Sequence, residues 1–313
     1  MILETTHGHL HYDITDVTPP WNAPTETIVL CHGVATNCDI WSEWVPILAP
    51  HFRVVRFDTR GFGRSLLRED GFDWSLDALA DDIVAVADAA GAERFHLVGE
   101  SVGGTVALHL AARADSPVLS LCCASTAHRG ANIHRVREWR DFVARQGMQA
   151  WSLQMMEHRF YPQALSRQKW EWFHGVQSQT QAQPLLDVGD LLVKTDLGEA
   201  LGRITVPTLL LTPDASPFVT VDISNEVHKL IKHSELAVFP GSRHGLPFSH
   251  ARECAQAELA FLKRHGLIRQ NCTAPFRQVF QAGEPGCGVP AQPRTLEASR
   301  VFTDVPSPQS LYP

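Results

Sequence analysis

Phe95-His96-Leu97-Val98-Gly99-Glu100-Ser101-Val102-Gly103-Gly104 begins as a short apolar run. It then passes a serine with a glycine two residues to either side, and opens into a helical pattern that runs to about Ala112. Strand, G-x-S-x-G, helix is the arrangement of a turn so sharp that the serine takes an unfavourable backbone conformation. At Gly99 and Gly103 side chains would collide. Such a turn holds the hydroxyl clear of the sheet. It also places it at a helix N-terminus, whose free N–H groups favour developing negative charge. Ser101 is therefore the candidate nucleophile. A bare G-x-S-x-G also occurs as a plain turn; the strand before it and the helix after it single this one out.

The flanking sequence repeats the strand–helix alternation. Residues 8–14 read as a strand or hairpin entry, and Pro19, Pro20 and Pro24 break the chain into a loop. Thr27–Cys31 is a continuous apolar run, as in a strand covered on both faces, and it ends in His32-Gly33-Val34. Trp41 to Ala49 has helical spacing, and Arg53–Phe57 reads as a strand entering the turn Asp58-Thr59-Arg60-Gly61-Phe62-Gly63-Arg64-Ser65. That turn lacks the third glycine and the following helix of a dinucleotide loop. Ser75 is placed to cap a helix through Ala90, with Leu76, Leu79, Ile83 and Val86 on one face and Gly91 ending it. After the Ser101 helix comes another apolar strand, Val118–Cys123. This order predicts a parallel sheet with helices on both sides.

From Thr126 the pattern changes. Residues 133–201 show helical periodicity without a clear strand, and they hold Trp139, Trp151, Trp170 and Trp172. The sheet pattern resumes at Ile204–Leu211, with a helix at 222–232, a last strand at Leu236–Phe239 and a helix from Ala251 to Arg264. The helical stretch therefore reads as an insertion over the edge of the sheet where ligands bind. The expected organisation is a core of 1–125 and 203–268, a helical cap of 126–202 and an extended C-terminal tail of 269–313. The tail, rich in Pro, Gln, Thr and Ser, is either disordered or laid along a surface, where it would brace a second copy in a homodimer.

Composition narrows the partners. With 44% hydrophobic and 19% charged residues the chain is globular. A net charge of -7 argues against a nucleic-acid partner. No apolar run approaches the ~20 residues of a membrane span, and the N-terminus lacks the form of a signal peptide. The seven cysteines include Cys31, Cys122 and Cys123 in apolar runs, and an odd count does not suggest a disulfide framework. No C-x-x-C or H-E-x-x-H spacing appears. The expectation is a cytoplasmic protein with no cofactor, no membrane partner and a small-molecule substrate.

A serine needs a base, and the base needs an orienting group. His244 fits the base. It follows the last strand in a glycine-bounded loop, ahead of the final helix, as the chain order nucleophile, acid, base requires. The oxyanion donors are then the backbone N–H groups of Val34 and Val102.

With these residues the chain resembles the α/β-hydrolase superfamily across about 25–125 and 203–268. The resemblance implies an α/β-hydrolase fold, a mostly parallel sheet flanked by helices with a helical cap insertion. It puts His32-Gly33 in the oxyanion loop, Gly99 to Gly103 at the nucleophile and His244 as base. Trp41, the stretch Arg53 to Ser65 and the cap segment Arg140 to Phe160 look most like 3-oxoadipate enol-lactonases. Those enzymes hydrolyse a small carboxylated enol-lactone in aromatic degradation. The D-x-R-G-x-G-x-S stretch is shared with many esterases, dehalogenases and C–C hydrolases. One position departs from the family. Its acid usually lies three residues past a glycine, but here Pro213 stands at the glycine and the acid's place falls on Ser216. Asp214 is the expected acid; the alternative is an incomplete triad in which a serine or a water holds the histidine. Asp222 is better explained as a helix cap.

The implied activity is hydrolysis of a small ester or lactone, including carboxylated enol-lactones, through an acyl-enzyme on Ser101. C–C or amide hydrolysis on the same residues and a non-catalytic ligand-binding homologue are the rivals. A carboxylated substrate in a protein of charge -7 calls for a local cation. Arg135, Arg137, Arg140 and Arg159 are candidates, and Trp139, Arg137 and Arg159 are the expected substrate-binding residues.

Overall fold

The apolar runs become strands buried on both faces because successive side chains enter different cores. On β3 (Thr27–Cys31), Val29 and Cys31 join one core while Ile28 and Leu30 join the other. On β6 (Phe95–Glu100), Leu97 and Val98 divide in the same way, as do Cys122 and Cys123 on β7 (Val118–Ala124). The period of two is the strand's own geometry, and a run apolar at every position is what a sheet covered on both sides requires. The protein is described by a computed structural model over residues 1–21, 25–68, 72–133 and 136–268, which pack as one unit. The expected tail of 269–313 lies outside the described residues.

The remaining strands are β1 (Ile2–Thr5), β2 (Gly8–Thr15), β4 (Arg53–Phe57), β5 (Leu66–Leu67), β8 (Thr208–Pro213) and β9 (Ser234–Phe239). The sheet order is β1-β2-β4-β3-β6-β7-β8-β9, with β5 paired to β2. β2 runs antiparallel to β1, β4 and β5, and from β4 to β9 every pairing is parallel. Neighbours at β3 and β6 are Cys31 opposite Gly99, so the loop after β3 and the turn after β6 leave the sheet side by side.

The helices are α1 (Val45–Leu48), α2 (Leu76–Ala89), α3 (Val102–Ala111), α4 (Trp139–Arg159), α5 (Arg167–Gln179), α6 (Ala182–Lys194), α7 (Val221–Leu230), α8 (Leu246–Ser249) and α9 (Ala251–Arg264). Ser75 caps α2 by accepting from the Ala78 N–H at 3.1 Å, and Gly91 leaves the helix at φ 77°. The stretch Trp41–Ala49, expected as one helix, is instead a 3-10 turn over Cys38–Trp41 followed by the single turn α1. Pro46 at the start of α1 has no N–H to give to a preceding turn, so a continuous helix cannot run through it. Helices α4, α5 and α6 all fall between β7 and β8, and α4 is interrupted at Gly147, with φ 76°.

Candidate active site

Ser101 sits between β6 and α3 at φ 54° and ψ -117°, a conformation that costs an L-residue roughly 1–3 kcal/mol. Packing enforces it. A Cβ on Gly99 would lie 2.5 Å from the Gly103 carbonyl oxygen, and one on Gly103 would lie 2.6 Å from the carbonyl oxygens of Cys31 and His32. The Ser101 N–H donates to the Ala124 carbonyl at 2.9 Å, which ties the turn to β7. Val102 is the first residue of α3, so its N–H has no intrahelical acceptor.

His244 comes from the loop between β9 and α8, and its Nε2 lies 3.0 Å from Ser101 Oγ. The imidazole is 5% exposed, and the Phe218 ring meets it edge-on at 4.9 Å. Burial, with the Arg159 guanidinium nearby, lowers its pKa to about 3. It is therefore neutral throughout the physiological range.

The expected acid is elsewhere. Asp214 lies at the end of β8, exposed, and its two carboxylate oxygens accept the N–H groups of Gly241 at 2.8 Å and Ser242 at 3.0 Å. Those bonds hold its pKa below the usual carboxylate range. The group that faces His244 Nδ1 is Ser216 Oγ, at 3.1 Å and buried. The expectation for Asp214 is thereby corrected. A carboxylate directly after the strand is caught by the backbone of the neighbouring β9 loop, and only two residues later does the chain turn toward the imidazole.

Glu100 gave no functional signal beyond being a charge in an apolar strand, yet it organises the neighbouring loop. Its Oε2 accepts the Gly33 N–H at 2.9 Å, and its Oε1 lies 3.6 Å from Arg159 Nη1. Burial pushes the carboxyl up, and Arg159 and the Gly33 N–H oppose that shift. Arg159, the last residue of α4, donates from Nη2 to the Val34 carbonyl at 3.1 Å, and its own carbonyl accepts the Gly245 N–H at 2.9 Å. One buried arginine thus touches the loop after β3, the residue before Ser101 and the residue after His244. Its Nε and Nη1 are buried without a hydrogen-bond partner among the described residues.

His32 is a scaffold residue. Its Nε2 accepts the Thr59 N–H at 2.9 Å, which leaves Nδ1 to donate to the Gly33 carbonyl at 2.6 Å. Beside it, burial raises the pKa of Asp58, but His32, Arg64 and the N–H groups of Cys38 and Arg64 outweigh burial and hold it at about 2. His11, Cys38 and Asp58 bring donor atoms within 4.8 Å of one another. A guanidinium already serves that cluster, because Arg64 reaches Asp58 with Nε and Cys38 Sγ with Nη2, each at 3.0 Å.

A recess opens over Ser101 and His244. Val34 and Val102 line it, with Ile133, Trp139, Met155, Leu192 and Phe218 as apolar wall and Arg159 as its cation. Of the expected substrate-binding residues it holds Trp139 and Arg159. Arg137 is exposed and faces a separate surface recess beside Arg140, whose guanidinium pairs with Asp190 at 2.6 Å. Arg135 lies outside the described residues.

The family model of the alpha/beta hydrolase fold matches residues 26–251. The chain belongs to that family. The α/β hydrolase is 27% identical over 231 residues to 3-oxoadipate enol-lactonase 1 of Acinetobacter baylyi, covering 71% of this chain and 83% of the relative. It is 29% identical over 266 residues to the bifunctional esterase/perhydrolase DCH of Acinetobacter calcoaceticus, covering 78% and 93%. Among solved structures, the enol-lactonase from Burkholderia xenovorans superposes with a TM-score of 0.76 at 23% identity, over 84% of this chain and all of the other. That likeness speaks for the fold. By the family model and these sequence relatives the chain is an enzyme of the α/β-hydrolase class, and its relatives include esterases and lactonases. Among the described residues no helix is long and apolar enough to cross a membrane.

Proposed function

We propose that this α/β hydrolase cleaves a small ester or lactone through an acyl-enzyme on Ser101. The observation that carries the reading is the 3.0 Å contact between Ser101 Oγ and His244 Nε2 at the floor of an apolar recess. In this reaction His244 takes the Ser101 proton and Ser101 Oγ attacks the carbonyl. The N–H groups of Val34 and Val102 hold the oxyanion. His244 then protonates the leaving oxygen and activates the water that frees the enzyme. Replacement of Ser101 by alanine is expected to lower kcat/KM by about a thousandfold or more on short-chain esters and lactones, and to abolish labelling by a fluorophosphonate. Retention of near-full turnover by Ser101→Ala would remove the reading.

The substrate we favour carries a carboxylate, as in the reaction named for the enol-lactonase relative. Arg159 supports this choice, since its buried Nε and Nη1 have no hydrogen-bond partner among the described residues and the side chain lines the recess. Trp139 would form the wall against which the ring of the substrate packs. Arg159→Gln is expected to raise KM about tenfold or more for a carboxylated lactone and much less for its methyl ester. Equal effects on both would reject the carboxylate.

A further inference from the structure

Ser216 stands where the histidine of such a site meets its orienting group, and its hydrogen bonds can be counted. Its Oγ accepts the N–H of Phe218 at 3.2 Å and the N–H of Val219 at 3.1 Å. A hydroxyl has two acceptor sites and one hydrogen. Both acceptor sites are taken, so the hydrogen is what remains for the third neighbour, His244 Nδ1 at 3.1 Å. We propose that Ser216 holds the resting imidazole with Nδ1 as acceptor and its hydrogen on Nε2, and that this inverted tautomer throttles the nucleophile. In that state Nε2–H donates to Ser101 Oγ and cannot take its proton.

The consequence, which rests on the hydrolase reading, follows from the same count. Reaction needs the minor tautomer with Nε2 free. It then forms an imidazolium whose Nδ1–H points at an oxygen with no acceptor site left. Among the described residues the charge that acts on the ring is that of Arg159, which also disfavours the imidazolium. The loop 216–219 is nevertheless suited to a carboxylate. Two backbone N–H groups and one imidazole N–H are three donors, and an ionised carboxylate accepts all three without a hydrogen of its own. The fall of about 10⁴ in kcat when a triad aspartate becomes an amide that favours the wrong tautomer gives the scale of what is forfeited. Ser216 is a positioning residue in this account, acting on Ser101 through His244.

Two measurements test it. Nitrogen-15 spectra of the imidazoles in the wild-type protein at pH 7, with His244 assigned by difference from His244→Gln, are expected to show a bare Nδ1 and a protonated Nε2. A protonated Nδ1 would overturn the proposal, whatever the activity. In parallel, Ser216→Asp is expected to label with a fluorophosphonate at least about tenfold faster than wild type and to gain a pH profile rising near neutrality. Ser216→Asn, which still donates to Nδ1, should stay at or below the wild-type rate. A folded Ser216→Asp that labels no faster would overturn the proposal; should it fail to fold, the wild-type spectra decide. Faster labelling without turnover of any ester or lactone would uphold the tautomer while rejecting the substrate class.

Discussion

At the scale of single residues, two side chains two positions apart have exchanged the parts a sequence reader gives them. Asp214 has the right chemistry and Ser216 the right place. Asp214 joins the start of the loop after β8 to the turn after β9 by its bonds to Gly241 and Ser242, and that turn carries His244. Asp214→Asn keeps one acceptor oxygen and loses the other. The expected outcome is a kcat within about threefold of wild type and a modest loss of stability, on the order of 1 kcal/mol. Steady-state kinetics and urea unfolding check it, and a fall in kcat of several hundredfold with stability intact would return Asp214 to the chemistry. Ser101 and His244 were legible because their positions follow from a motif with mechanical content, a strained turn and a loop after the last strand. Glu100 was not legible, and the partner of His244 was legible only as alternatives, Asp214 as acid or a serine or water holding the histidine. Their roles depend on which backbone N–H groups a loop presents, and that is set by tertiary packing rather than by local pattern.

At the scale of elements, the readings that held were those with a strong period and a punctuating residue. α2 is the clearest case, with Ser75 before it, Gly91 after it and Leu79, Ile83 and Val86 buried on one side. The Ser75 hydroxyl satisfies one N–H that the first turn would otherwise leave unpaired. Ser75→Ala is therefore expected to lower stability by about 1 kcal/mol with kinetics unchanged, and chemical denaturation of the two proteins measures it. A change below a few tenths of a kcal/mol would mean that solvent replaces the cap without loss. Trp41–Ala49 shows where periodicity misleads. Its apolar spacing reflects burial of Trp41, Trp44 and Leu48 in one core, and a folded loop with a proline in it can bury such residues as well as a helix can. Helices α4 to α6 were readable as helices. The inward turn of Arg159 at the end of α4 and the outward turn of Arg137 just before it were not. Which arginine reaches the recess depends on how α4 crosses the sheet edge.

At the scale of the whole molecule, the sheet separates two cores, and the one beneath α9 contains an ionisable group that the proposed chemistry does not use. Glu258, on the inner face of α9, is 1% exposed and hydrogen-bonds with Cys122 of β7, while its Oε2 has no hydrogen-bond partner among the described residues. Burial raises its pKa from the ordinary 4.5 to about 8, only partly offset by the bond to Cys122. The folded protein therefore keeps this proton at neutral pH, where the unfolded chain has lost it. Where the folded state binds more protons, stability falls as pH rises. The contribution is fully present below pH 4.5 and is lost on the way to pH 8. Glu258→Gln preserves the size and hydrogen-bonding capacity of the neutral carboxyl and removes the titration. At pH 5 the variant should match wild type within about 1 kcal/mol. At pH 8 it should be more stable by roughly 3–5 kcal/mol, on the order of 10 °C in Tm for a chain of this length. Thermal unfolding of both proteins from pH 5 to pH 8 gives the comparison. Parallel curves would mean that the carboxyl ionises inside the fold with a compensating partner; curves that diverge as pH rises would identify Glu258 as the group that limits stability on the alkaline side.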